Sequence, residues 1–370
     1  MNNPLNKVTL SDSALFATLL VALMGANFLD LPYGAARYGG PSGYWSVGIA
    51  FILFIPVVFL AIALHKRFPD QNLFEVAPEI IGKPLAFIGN LLFLAPFFVQ
   101  LVLALRDGSD LNHLYLLNQT PLWAVVIVIL FCVGYVTLGG LSSIVRFMNF
   151  LLIPNFILRL IMEILTFQTM KATHLLPLFS ETPGRYLIGG LLLNGYFLPV
   201  TAVFLLSNRI KKPAKFGPAI FGALGGIFPI YLLAFIGTVG NFGAEYTQSF
   251  AWSEVVATNH INIPYLILEQ VGLIFLILWI TTFFATMTLV VYTLGSGLKS
   301  QIRALNYRWT VVGVLAVAGV GAMLFPNSIV VREAFTAIRP WLMLPVTVYP
   351  ILVYLVAVMR GIRGGLQNEA

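Results

Sequence analysis

Of the 370 residues, 59% are hydrophobic and only 9% are charged, and the mean hydropathy is +0.91. A soluble domain needs roughly 25% charged residues to wet its surface, so this composition excludes a water-soluble globular protein and requires lipid as solvent. The net charge of +7 does not argue for nucleic acid, because Lys and Arg stand in short clusters between apolar runs rather than among exposed aromatics.

Crossing the hydrocarbon takes about 20 apolar residues. Ten such spans are predicted, at 11–36, 43–64, 85–112, 121–138, 143–167, 186–207, 217–240, 263–295, 309–326 and 340–360. The first follows Lys7 and is read as a retained helix, not a cleaved leader, because many more spans come after it. Short connections carry Pro, Gly and Asn, as at Phe68-Pro69-Asp70, Thr120-Pro121 and Pro183-Gly184. The longest polar stretches, 65–84 and 241–262, are read as connections, so residues 1–370 are expected to form a single transmembrane domain. The lone Cys132 lies within an apolar run and allows no internal disulfide.

Placing the N-terminus in the cytoplasm puts 14 Lys and Arg residues in inner segments and 6 in outer ones, with Arg159 left inside a span. The positive-inside rule then sets both termini in the cytoplasm. Arg332 and Arg339 are counted here among the outer segments.

Ten spans divide into two repeats of five, about 11–167 and 186–360, and an odd number per repeat makes the second inverted. Spans 1 and 6 then correspond. Each is interrupted near its middle, by Gly25-Ala26-Asn27-Phe28-Leu29-Asp30-Leu31-Pro32 and by Asn194-Gly195-Tyr196-Phe197-Leu198-Pro199. Gly accepts unusual backbone angles and Pro starts a fresh helix, so both spans are expected to be discontinuous. Paired interruptions point to a binding site near the midplane. The free N–H and C=O groups of two half-helices suit the carboxylate and ammonium of an amino acid. Backbone contacts are expected at Gly25, Ala26, Asn27, Asn194 and Gly195, with Phe28, Tyr196 and Phe197 lining the pocket.

Asp30 fits two roles, an N-cap for the second half-helix or a charged group that biases ligand choice. Asn155, Arg159 and Glu163 repeat every four residues and share one face of span 5. They are read as an Arg–Glu pair locking helices together, or as a fixed positive charge where a sodium-coupled relative would hold an ion, with Glu163 as the group able to carry a proton. Thr281, Thr282, Thr286 and Thr288 on span 8 suit helix packing or completion of the site, and Thr281 is taken as the site member. Phe97 and Phe98, with Pro96 and Gln100, are plausible walls from span 3.

Asp107 and Asp110 make half of an acidic metal cluster with no second half, and His65, His174 and His260 are scattered. There is no phosphate-binding loop, zinc-protease helix or Gly-x-Ser-x-Gly elbow. No cofactor or metal is expected, and an enzyme is not.

Several stretches resemble the B subunit of spore germinant receptors (GerAB-type spore germination proteins) within the amino acid–polyamine–organocation superfamily. They are Gly25-x-x-x-Leu29-x-Leu31-Pro32; Arg67-Phe68-Pro69 followed by Glu75 and Gly82-Lys83; Thr120-Pro121-Leu122-Trp123; Gly140 to Arg146; and Leu175-Leu176-Pro177. They lie mainly in the first half of the chain. The resemblance implies an all-α polytopic LeuT/APC-like fold that binds a germinant, usually an amino acid. It also implies partnership with A and C receptor subunits in the spore inner membrane. Asn27 and Asp30 replace the small residues usual at the first interruption, which suggests a cationic or polar ligand. The same site would also serve an amino-acid permease, proton-coupled or uncoupled, or a ligand-gated ion or water conduit.

Overall fold

A computed structural model describes residues 9–25, 28–210, 213–261, 271–302 and 304–364. Ala26 and Asn27, and Lys7, Lys211, Lys212 and Arg303 of the charge count, lie outside the described residues.

The described residues are almost entirely helical, with short turns between helices. Ser11 accepts from the Ala14 amide to cap α1 (Asp12–Leu23), which bends by 49° from the short helix that carries α2 (Leu31–Gly39). α3 (Tyr44–Arg67) ends at the predicted Phe68-Pro69 punctuation. The stretch expected as a connection then forms α4 (Leu73–Ile81), because Asn72 and Glu75 make a reciprocal capping box on a strongly one-sided apolar run. α5 (Lys83–Tyr115), α6 (Leu122–Leu138) and α7 (Gly140–Leu165) follow.

The second half begins with α8 (Pro183–Leu193). It continues as a nine-residue 3-10 stretch, Asn194–Ala202, into α9 (Val203–Leu206). α10 (Phe216–Thr247), which bends at Gly243, leads to α11 (Ser253–Asn259), inside the second stretch expected as a connection. α12 (Val271–Gln301), α13 (Tyr307–Met323) and α14 (Ser328–Met359) complete the chain.

Among the described residues, seven helices of 24 to 33 residues are long and apolar enough to cross a membrane, and the bent first pair makes an eighth. The shorter apolar helices α6 and α13, of 17 residues each, stand at the two remaining expected spans. The last begins a dozen residues earlier than predicted. Arg332, Glu333 and Arg339 depress hydropathy there, yet the segment is helical and Arg339 is buried. Arg339 is therefore not an outer-segment charge.

Packing follows the inverted repeat. Span 1 packs on span 7 (α10) as span 6 (α8) packs on span 2 (α3); span 3 (α5) packs on span 10 (α14) as span 8 (α12) packs on span 5 (α7). Large apolar side chains such as Phe131, Phe150, Trp309 and Met359 face outward, where lipid is their solvent. The described ends lie on one side. The Leu10 amide donates to Arg209 O at 2.6 Å, and the Gly364 amide donates to Arg67 O at 3.0 Å.

Candidate functional site

The first interruption is a true break. α1 stops at Leu23 and a 3-10 turn, Phe28–Asp30, starts the second half. The second takes the form of a tightened helix. From Asn194 to Ala202 the backbone is 3-10, so span 6 stops being α-helical where predicted without unwinding.

The free carbonyls at the end of α1 were expected to meet an ammonium group. Side chains take them instead: Thr286 Oγ1 donates to Ala22 O at 2.9 Å, and Tyr231 Oη to Leu23 O at 2.7 Å. Arg159 Nη2 and Thr282 Oγ1 both donate to Met24 O at 3.3 Å. Gly25 permits this closeness, since a Cβ there would lie 1.9 Å from Thr286 Oγ1. Thr282 and Thr286 are thus the hydroxyls of span 8 that reach the break. Thr281 is turned away, donating to Asn155 Oδ1 at 3.3 Å and Leu278 O at 2.8 Å, which corrects its assignment to the site.

Arg159 is buried with its guanidinium 3.9 Å from the Phe28 ring centroid and 4.6 Å from that of Phe275. A fixed positive charge therefore stands at the end of the first half-helix. The Arg–Glu lock is not made as expected: neither Glu163 oxygen, nor Arg159 Nη1, has a hydrogen-bond partner among the described residues.

Asp30 does not cap α2 with its side chain. Its Oδ2 accepts from Arg339 Nη2 at 2.9 Å, while Arg339 Nη1 donates to Tyr196 Oη at 2.7 Å. One arginine from span 10 therefore ties the two interrupted spans together. Gly195 makes room for it, because a Cβ there would lie 2.3 Å from Arg339 Cγ. The guanidinium also lies 4.2 Å from the Tyr196 ring centroid. The Asp30 side chain keeps 16% of its surface exposed against 7% for Arg339, so the acid is the accessible end of the pair.

Phe28, Phe197 and Tyr231 gather beside this pair, with centroids 5.7 Å apart for Phe28–Tyr231 and 6.1 Å for Phe197–Tyr231. Phe51 packs edge-on to Phe197 at 4.7 Å. Asn194 is spent on packing, donating to Ala50 O at 3.0 Å. Phe97 is buried against Phe93, 5.9 Å away. Phe98 corrects a second assignment, since it lines an apolar groove of about 550 Å³ between α5, α12 and α13, with Leu294 and Trp309. Asp107 accepts from Trp252 Nε1 at 3.1 Å and so ties α5 to the start of α11, while Asp110 pairs with Arg106 at 3.0 Å one turn earlier on α5 itself.

This architecture has solved counterparts. A nucleobase-cation-symport-1 family transporter, Mhp1, crystallised with bromovinylhydantoin, superposes with a TM-score of 0.69 at 14% identity, covering 96% of this chain and 84% of its own. MhsT in complex with L-phenylalanine gives 0.66 at 13% identity, covering 94% and 89%. The fold is that of LeuT-like secondary transporters. The family is given by sequence: a family model described as "Spore germination protein" matches residues 9–330. Spore germination protein A2 of Bacillus subtilis (strain 168) is 25% identical over 280 residues, 75% of this chain and 76% of its own length. Spore germination protein YndE of the same organism is 23% identical over 304 residues, 82% and 83%. The chain belongs to the spore germination protein family, as a germinant-receptor-type member built on a transporter fold.

Proposed function

We propose that this protein binds a zwitterionic germinant, an amino acid above all, between spans 1, 6 and 10, and acts by binding rather than catalysis. The observation that carries this reading is the Asp30–Arg339–Tyr196 link, which joins both interrupted spans through one buried arginine. Asp30 alone would favour a cationic ligand, but Arg339 at 2.9 Å cancels its field. Together they present a donor for a carboxylate and an acceptor for an ammonium side by side, which suits a molecule carrying both charges. Loading such a ligand would exchange the internal ion pair for two ligand pairs, parting spans 1 and 10. The aromatic cluster beside it would select the side chain.

On this reading the protein is the membrane-embedded B-type subunit of a germinant receptor. It works with A and C subunits in the spore inner membrane, with both termini in the cytoplasm. Uptake of the ligand, as a permease would perform, is the competing role that the transporter fold makes worth testing. Purified protein in proteoliposomes should bind a neutral amino acid and lose that binding in Arg339→Gln, with no concentrative uptake by the wild type. Binding of cationic amino acids alone would refute the zwitterion assignment, and concentrative uptake would refute the sensor role.

A further inference from the structure

Glu254 sits in a stretch that reads as a polar connection, and nothing in the sequence marks it. In the structure it lies on α11 and is fully buried, with Oε2 accepting from Thr238 Oγ1 on α10 at 2.9 Å. Its other oxygen, Oε1, has no donor among the described residues, and neither has either oxygen of the equally buried Glu163. The two carboxyls interact with each other and with Arg159. The local packing brings them together. Thr166 Oγ1 donates to Glu163 O at 2.6 Å, a Cβ on Gly237 would lie 2.0 Å from that same hydroxyl, and Thr238 next along α10 holds Glu254.

An ionised carboxylate only accepts hydrogen bonds. Two of them close enough to feel each other's charge, buried, and with three oxygens that no described donor meets, repel strongly; a single proton supplies a donor and removes one charge. Arg159, one turn earlier on α7, compensates the charge that remains, and its Nη1 is itself unpartnered and buried. On α10 the ionisable group facing Arg159 is Tyr231, which donates its hydroxyl to Leu23 O. α11 also meets the Phe28–Asp30 turn, whose Asp30 is paired with Arg339, and Asp107 of α5, which accepts from Trp252 Nε1 at the start of α11. Residues 271–290 of α12 carry no ionisable side chain, and α1 carries only Asp12 at its far end.

We propose that Glu163 and Glu254 together bind one proton, and that this proton fastens α11 onto α7 and α10. The site is separate from the Asp30–Arg339 pair but mechanically close to it, because α11 also packs on the Phe28–Asp30 turn. Release of the proton to solvent leaves two facing carboxylates against one guanidinium and pushes α11 away from that turn. Ligand access and protonation are thereby coupled. Burial holds the Glu254 carboxyl above the usual carboxylate range. A group raised on folding stabilises the folded state fully below the ordinary carboxylate range, and that stability is lost as pH rises through the raised value.

The test is infrared spectroscopy of the full-length protein in nanodiscs, in light and heavy water, with isotope-labelled glutamate to separate glutamate from aspartate; no germinant is needed. At neutral pH the wild type should show a glutamate band of a protonated carboxyl. That band should vanish in Glu163→Gln and, separately, in Glu254→Gln, because the remaining acid then ionises against Arg159. Thermal stability of the wild type should fall as pH rises from mildly acidic to alkaline, and both variants should flatten that slope. Survival of the band in either variant would overturn the shared proton. If a variant does not fold, the wild type still decides: absence of a protonated glutamate band at neutral pH overturns the proposal.

Discussion

Asp30 and Arg339 are separated by 309 positions and meet at 2.9 Å. Breaking a buried ion pair by removing one partner costs about 3–5 kcal/mol, because the other charge is stranded, whereas replacing both with apolar groups is often neutral. Both partners keep some exposure, so we expect the lower part of that range here. Asp30→Asn should therefore destabilise the protein by about 3 kcal/mol, although Asn caps a helix as well as Asp. Asp30→Asn combined with Arg339→Met should recover much of that loss while abolishing binding. Equal melting temperatures for wild type and Asp30→Asn would show that the pair adds no net stability. The pair was half legible in the sequence. Asp30 stood out as a charge inside a span, but Arg339 was counted in a connection because its neighbours Arg332 and Glu333 lower the local hydropathy. A stranded acid implies a base somewhere, and nothing local says which one.

At the scale of elements, the junction of α1, α7 and α12 decides whether sodium matters. Free carbonyls at a helix break are natural cation ligands, yet Met24 O is held by Arg159 and Thr282. A second cation about 4 Å from that guanidinium would meet roughly 4 kcal/mol of repulsion at an effective dielectric constant near 20. Two carbonyls and a hydroxyl do not offset this. Melting temperature and ligand affinity should be the same in sodium chloride and choline chloride; a rise specific to sodium would show that Arg159 leaves room for the ion. The Asn155-Arg159-Glu163 stripe was readable from its spacing, but its partners were not. The hydroxyls that count, Thr282 and Thr286, lie one turn apart on the stripe with Phe275 and Trp279, and that periodicity distinguishes them from Thr281. Tyr231 carried no sequence signal, since a tyrosine in an apolar span usually packs.

For the whole molecule, the ten crossings put both described ends and the Arg209–Lys215 connection on one side. The Leu10–Arg209 hydrogen bond and the Lys215–Asp12 pair at 3.2 Å join the N-terminal end to Arg209 and Lys215, and the Gly364 amide donates to Arg67 O at the other end. Removing Arg339 from the outer segments leaves the inside bias stronger than the 14 to 6 read from sequence. In right-side-out vesicles of a Cys132→Ala background, Lys215→Cys should react with an impermeant thiol reagent only after permeabilisation. Labelling of intact vesicles would invert the topology.

The sequence by itself determined the solvent, the number of crossings, the division into inverted halves and the two interruptions at Gly25 and Asn194. These follow from hydropathy, Gly and Pro placement and charge counting, all of which act over a few residues or a single helix length. Only the tertiary structure decided what fills the interruptions. Arg339 arrives from span 10, Arg159 from span 5, and Tyr231, Thr282 and Thr286 from spans 7 and 8, while Glu254 of a connecting helix is buried against Thr238 of span 7. The physical reason is that lipid drives every unsatisfied polar group inward to find a partner. Which partner it finds depends on how ten helices pack, and a helix's own sequence does not specify the face its neighbour presents.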